Sequence, residues 1–420
     1  MNRFIAGGML LLLLTGCKRE VEKKNPLKTG IWRAVIMIQD RELPFNFEVT
    51  RDNNGGYDIL LMNAVERLLL DEVMITSDSI DVALHIFDAN VKAKIEGDSI
   101  HGLFIKNFAD DYELPFSAAF GQDYRFKKTS DSLPADFSGK YEVTFVHESD
   151  TTAAIGVFEQ KGERVTGSFL TPKGDYRFLE GIADGGSLQL STFDGNYLYL
   201  FTGVKLGDDQ IRGQFFSGKS WRETWVAKKN DNATLPDAES LTFLKEGYEK
   251  LSIAFPDADG NVKSLEDEKY KGKVVILQLM GTWCPNCMDE TKFLAPWYDE
   301  NKDRGVEIIG LAYERKDDFK YASTRVKKMT AKMGVGYDIL IAGTDDKEKA
   351  VETLPGLNAI VAFPTTIFIG KDGKVKKIHT GFNGPGTGIY FEQFKEEFNE
   401  TVNGLLKSEL TAQRLEKDIK

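Results

Sequence analysis

Two cysteines separated by two residues, Cys284 and Cys287, are the side chains in this sequence whose types and spacing most directly offer chemistry. They stand in Trp283-Cys284-Pro285-Asn286-Cys287. Before them runs a nearly unbroken apolar stretch, Lys273 to Met280 (KVVILQLM); after them, Met288 to about Asn301 repeats apolar residues at helical spacing, with Phe293, Leu294, Trp297 and Tyr298 on one side. The apolar stretch suits a strand buried on both faces. Strand, tight turn, Cys-x-x-Cys and helix form the context that makes such a pair redox-active rather than metal-binding. The spacing has a chemical reason. The first sulfur falls at the helix N-terminus, where unpaired N–H groups and the positive dipole end favour thiolate. Pro285 fits the first helical turn, where its missing N–H costs little. The second sulfur is close enough to attack a mixed disulfide on the first. Cys284 is therefore expected as nucleophile and Cys287 as resolving thiol of one reversible redox disulfide. The third cysteine is Cys17, and the four histidines lie apart from one another and from the cysteines. No disulfide framework, metal site or cofactor is expected.

The elements that must hold this pair follow in order. Gly305–Ala312 reads as a second buried strand, Asp317–Met333 as a helix and Gly336–Leu340 as a short strand. Ala362–Ile369 is a strand entered through Pro364. Asp372-Gly373 is a hairpin turn leading into Lys374–His379, and Phe391–Leu406 is a last helix. Apolar strands alternating with helical segments mark an α/β domain. Residues of about 250–407 resemble the thioredoxin fold, specifically the membrane-tethered, extracytoplasmic TlpA/ResA-like thiol–disulfide oxidoreductases. The matching residues are Trp283 to Cys287, the Phe363-Pro364-Thr365 loop, the Gly373 hairpin and the Thr380-Gly381 step. The resemblance implies that Pro364 is cis and packed beside the disulfide, that the neighbouring backbone pairs with a substrate peptide, and that Trp283 shields the disulfide. Trp283, Phe363, Pro364 and Thr365 are thus the expected substrate-binding residues. Thioredoxins in general keep a buried Asp six residues before the first cysteine; here Gln278 stands there and cannot act as a base. Glu290, one turn beyond Cys287 on the same helix, occupies a position where TlpA/ResA-like proteins carry Glu. Its expected role is to tune the thiols or relay the proton of Cys287; the competing reading is a solvated surface carboxylate. Trp297 is expected in the core.

The N-terminal half reads differently. From Gly30 to about Ala227, short alternating strands are punctuated by Gly, Asp and Asn at the spacing of an all-β sandwich or barrel. The stretch Leu61–Leu70 is the one place with a short helical period. This half also repeats. Gly30-Ile31-Trp32-Arg33 answers Gly139-Lys140-Tyr141-Glu142, Ser79–Val82 answers Ser187–Leu190, Phe87–Asn90 answers Phe193–Asn196, and Ile100–Gly102 answers Ile211–Gly213. Ordered matches with drifting offsets indicate a duplication. Two half-barrels closing into one antiparallel barrel is the favoured arrangement, since closure removes edges; two small sandwiches are the alternative. The aromatics Phe145, Phe158, Phe178, Tyr197, Tyr199 and Phe201 suggest a lipophilic pocket but are read as core, and no catalytic constellation is evident in this half.

The first seventeen residues read as a leader. Arg3 is followed by an apolar stretch to Leu14, too short for a good spanning helix, and Leu14-Thr15-Gly16-Cys17 resembles a bacterial lipobox. Cys17 is the expected lipidated N-terminus. The expected organisation is a multidomain chain. It comprises a signal peptide (1–17), a tether (18–28), a duplicated all-β domain (29–229, repeats about 30–108 and 139–220), a linker (230–244), an α/β thioredoxin-like domain (245–407) and a polar tail (408–420). A net charge of −11 argues against a nucleic-acid partner. The resemblance implies protein disulfide or dithiol clients, a membrane dithiol electron donor and attachment to the membrane through the lipid, with the body facing the periplasm. It also extends, for the β half, to domains attached to such redox modules in Bacteroidetes lipoproteins. Two other readings stand beside it. A peroxiredoxin requires a P-x-x-x-T-x-x-C arrangement, which Thr282, two residues before Cys284, does not supply. An envelope binding module would use the β half to recruit a partner.

Overall fold

The computed structural model describes residues 27–418, with side chains to residue 407. The leader and Cys17 lie outside the described residues. Leu27 and Lys28, the end of the expected tether, pack on the protein: Leu27 is buried and the Lys28 carbonyl accepts from Trp32 Nε1. Among the described residues, no helix is long and apolar enough to cross a membrane.

Each β repeat folds as its own nine-stranded antiparallel sheet. In the first, Gly30–Ile38 pairs with Arg41–Arg51 on one side and with the last strand, Glu113–Phe120, on the other. In the second, Gly139–His147 pairs with Asp150–Lys161 and with the last strand, Trp221–Lys229. The second sheet is closed, because Arg164–Thr171 pairs with both Asp150–Lys161 and Leu179–Asp184. The first stays open between Glu66–Leu70 and Val73–Thr76. The expectation of two halves sharing one barrel is therefore corrected. First and last strands of each repeat pair within their own sheet, and the two edges left in the first sheet, Glu66–Leu70 and Val73–Thr76, pair with no strand of the second. The duplication is visible in geometry. Gly30 and Gly139 share a φ of 120°, and Trp32 and Tyr141, two residues on, are fully buried. A Cβ on Gly102 or Gly213 would lie 2.1 Å from a neighbouring strand's carbonyl oxygen, so only glycine fits at either place. Leu61–Leu70 is two strands, Tyr57–Asn63 and Glu66–Leu70, not a helix. Their buried residues recur at every second position, and Ala64 turns the chain with φ 49°.

The C-terminal unit is a five-stranded sheet. We number its elements β1 (Val274–Met280), α1 (Pro285–Asn301), β2 (Val306–Glu314), α2 (Phe319–Met333), β3 (Asp338–Thr344), α3 (Lys347–Glu352), β4 (Thr365–Ile369), β5 (Val375–Thr380) and α4 (Ile389–Asp418). The strand order is β3-β2-β1-β4-β5, with β1, β2 and β3 parallel and β4 and β5 antiparallel to their neighbours. This is the expected thioredoxin-type α/β fold. Every residue of β1, β2 and β4 is buried, which explains their largely apolar character. Asp318 caps α2 by accepting from Tyr321 N, and Gly334 ends it at φ 63°. The last helix continues to Asp418, through the segment read as a polar tail. The segment read as a linker is packed: Ala233 is buried with Ile155 and Leu170, and Asn358 Nδ2 donates to the Leu241 carbonyl.

The three units are locked together by one buried cation. Arg177, in the barrel, is 1 % exposed. Its Nε and Nη2 donate to the two carboxylate oxygens of Asp289 on α1 (2.7 and 2.9 Å), its Nη1 to Asp194 of the barrel (2.7 Å), and its Nη2 to Glu66 of the first sheet (2.6 Å). On another face, Lys328 and Lys332 of α2 pair with Asp71 and Glu72, at the gap in the first sheet. Close backbone approach completes the docking. A Cβ on Gly386 would lie 2.6 Å from the backbone of Arg177, so glycine is what lets the loop before α4 reach the barrel. Removing the guanidinium strands three carboxylates in a buried site. Arg177→Met is expected to lower unfolding stability by about 3–5 kcal/mol, measured by denaturant titration; an unchanged midpoint would contradict the lock.

Candidate active site

β1 delivers the chain to the top of the sheet, and the turn Gly281-Thr282-Trp283 aims Cys284 at the start of α1. Cys284 is the N-cap of that helix, with extended backbone, and Pro285 takes the first helical position. Its Sγ accepts from the Cys287 N–H at 3.1 Å, an arrangement that favours negative charge on sulfur. Cys284 and Cys287 form a disulfide. The Phe363–Pro364 peptide is cis, and the Phe363 carbonyl oxygen lies 3.5 Å from Cys284 Sγ. The structure thus brings Trp283, both cysteines, Phe363 and Pro364 together. Thr365 follows as a buried side chain whose hydroxyl donates to the Ala362 carbonyl, so its side chain is already occupied within the loop.

Glu290 is fully buried rather than solvated. Thr366 Oγ1 donates to one of its oxygens (2.5 Å) and Gln278 Nε2 to the other (2.8 Å). Burial outweighs both bonds and pushes the carboxyl up to about 7. Gln278 also hydrogen-bonds with Thr291, so strand β1 supplies an amide and helix α1 the ionisable acid. A second buried carboxyl, Glu314 at the end of β2, accepts from the N–H and hydroxyl of Thr282 (2.8 Å each) and braces the turn before the cysteines; burial raises its pKa. Trp283 donates its Nε1 to the Tyr313 carbonyl (2.8 Å), packs edge-on to Phe363 and carries the Arg315 guanidinium 3.9 Å above its ring. Trp297 lies in the core, its Nε1 donating to Asn399.

A family model described as Redoxin matches residues 230–393. The thiol-disulfide oxidoreductase ResA of Halalkalibacterium halodurans is 31% identical over 166 residues, which is 38% of this chain and 79% of that protein. This chain belongs to the ResA-like thiol–disulfide oxidoreductases. The ResA of Bacillus subtilis is 29% identical over 150 residues, 36% of this chain and 74% of that one. Among solved structures, a thiol:disulfide interchange protein of the thioredoxin family from Chlorobium tepidum is 21% identical, with a TM-score of 0.30, and matches 39% of this chain and 98% of its own. The thioredoxin domain of a thiol-disulfide oxidoreductase from Bacteroides vulgatus is 26% identical, with a TM-score of 0.28, and matches 36% of this chain and 99% of its own.

This oxidoreductase differs from a bare redox module in what covers its motif. Asn286, between the two cysteines, donates to the Asp175 carbonyl of the barrel (3.0 Å), and Asn196 of the barrel donates to the Trp283 carbonyl (2.7 Å). Asp175 also accepts from the N–H groups of Gly384 and Arg177; burial and the nearby Asp289 push its carboxyl up to about 7. Cys284 is left 1 % exposed and Cys287 fully buried. Sequence reading missed Asp175, Arg177, Asp194, Asn196 and Glu314. Glu314 had a signal, as an acidic residue at the carboxyl end of a buried parallel strand, where α/β sites form. The barrel residues had none, since their partners lie far away in the chain.

The raised pKa of Glu290 has a signed consequence. A carboxyl held above its unfolded value of 4.5 contributes stability as the neutral acid, fully present below that pH and lost as pH rises through about 7. The stability of Glu290→Gln relative to wild type is therefore expected to rise between those pH values, by up to roughly 3 kcal/mol. Denaturant titrations at several pH values check this; a pH-independent difference would contradict it.

Proposed function

We propose that this chain is a lipid-anchored oxidoreductase of the cell envelope that reduces protein disulfides through Cys284 and Cys287. The observation that carries the reading is the helix-capping sulfur of Cys284, held by the Cys287 N–H beside the cis Phe363–Pro364 peptide. In the reduced chain, the Cys284 thiolate attacks one sulfur of a client disulfide. A mixed disulfide forms and the other client sulfur leaves as thiolate. Cys287 then loses its proton and attacks Cys284 Sγ; the intramolecular disulfide closes and the second client sulfur departs. Two electrons pass to the client, and the two protons it needs come from solvent and the resolving thiol. Glu290, one turn from Cys287 and poised near neutrality, is the group we assign to that proton. Trp283, Phe363 and Pro364 frame the attacking sulfur, with the main chain at Phe363–Thr365 as the surface a client strand would meet. Re-reduction falls to a membrane dithiol donor. The anchor is Cys17, in the lipobox-like Leu14-Thr15-Gly16-Cys17, and the body would face the periplasm.

Three variants test this with a disordered polypeptide closed by one disulfide as the client. Cys284→Ala is expected to abolish turnover, and Cys287→Ala to accumulate a covalent adduct with the client, visible on a non-reducing gel. Glu290→Gln is expected to slow exchange by about 10²-fold and to remove the limb of the pH–rate profile near neutrality. An adduct in Cys284→Ala instead, or an unaltered pH profile in Glu290→Gln, would contradict the assigned roles.

A further inference from the structure

The barrel does more than pack on the redox unit: one of its ends and the redox unit together line an open cleft of about 610 Å³. Asn286 and Phe363 line it from the redox side, and Tyr197, Tyr199, Trp221 and Glu223 from the barrel side. Phe363 is also the residue whose carbonyl lies against Cys284 Sγ, and Asn286 stands between the two cysteines, so the cleft borders the redox motif. The barrel wall is preorganised. Tyr197 and Tyr199 stack with ring centroids 4.7 Å apart, and Trp221 stacks on His147 at 4.0 Å. Within this aromatic wall, one carboxylate oxygen of Glu223 is buried without a hydrogen-bond partner. An unmatched buried acceptor is costly, and Glu223 is one of the residues that line the cleft. Aromatic walls with a small number of placed polar groups are the usual composition of a binding site, and the volume is that of a small molecule or a few residues of extended chain.

We propose that this cleft is the client site of the oxidoreductase, and that it takes an extended polypeptide segment carrying the disulfide. The segment lies between the barrel end and Phe363. The aromatic wall holds the side chain next to the client cysteine, and Glu223 accepts a hydrogen bond from a client N–H or basic group. The inference rests on the disulfide-reductase reading and specifies its substrate class. A cysteine flush with the surface of a folded domain cannot reach a sulfur that is 1 % exposed beneath this cover. The barrel therefore sorts clients by shape: disulfides on slender, unfolded segments enter, and those on compact surfaces do not.

The test uses the full chain and two variants outside the redox machinery, Glu223→Gln and Trp221→Ala. Trp221 is 47 % exposed, so its truncation leaves folding intact. Two probes are compared, a short disordered peptide closed by one disulfide and the small, uncharged aliphatic disulfide 2-hydroxyethyl disulfide. For the peptide, Glu223→Gln is expected to raise KM by about tenfold, the loss of one hydrogen bond to a charged group, with kcat unchanged. Trp221→Ala is expected to raise it by a few-fold. Both variants should reduce the small disulfide at the wild-type rate. Peptide KM unchanged in both variants, with the small disulfide still reduced, would overturn the cleft assignment and leave the oxidoreductase reading standing. Equal losses on both probes would also overturn it, since a client site should not affect intrinsic thiol reactivity. A wild-type chain that reduces neither probe would overturn both.

Discussion

A guanidinium with almost no contact with water must be surrounded by acceptors, and Arg177 meets that requirement with carboxylates from three separate parts of the chain. Glu66 comes from the open sheet, Asp194 from the barrel and Asp289 from the helix that begins at Cys284. Each carboxylate is itself nearly buried. None of the four groups can leave without exposing the others to an uncompensated charge, so the three units are fixed relative to one another. Asp289 lies two residues beyond Cys287, which places the lock within one helical turn of the redox pair. The three units form a single body arranged around one disulfide.

That arrangement changes the environment of the chemistry. The motif residue Asn286 and the Trp283 carbonyl are tied to the barrel, and Gly381, whose N–H donates to the Pro364 carbonyl, admits the barrel loop at 172–174. Both cysteines are buried. In such surroundings a carboxyl favours its neutral form, and Glu290, Glu314 and Asp175 are all held above their ordinary values by burial. Two of them, Glu290 and Asp175, are pushed up to about 7, which suits a reaction whose steps alternate between thiol and thiolate.

The sequence made the redox unit legible because its signals are local. An apolar strand, a Cys-x-x-Cys at a helix start and a strand entered through Pro364 each declare themselves within a dozen residues. The duplication was also legible, through Gly102 and Gly213, where a neighbouring strand's carbonyl excludes any side chain. Barrel closure was not, because it depends on pairing between Gly139–His147 and Trp221–Lys229 at opposite ends of a repeat. Leu61–Leu70 misled because its leucines fit helical and alternating periods alike over so short a span. Tyr197 and Tyr199 were read with the core aromatics, yet they sit at the barrel's mouth; strand spacing distinguishes inside from outside, not middle from end. Arg177 and Asp289 lie 112 residues apart, and nothing near either announces the other.

The central claim is that the β half covers the dithiol as part of the site. Its most direct measurement is the alkylation of Cys284 in the reduced chain by two maleimides of different bulk, N-ethylmaleimide and a polyethylene-glycol maleimide, each normalised to free cysteine. The covered site should admit the small reagent and slow the large one by at least about tenfold, because reaction requires access as well as thiolate. Equal normalised rates would mean that the sulfur is open to solvent, and would contradict the claim.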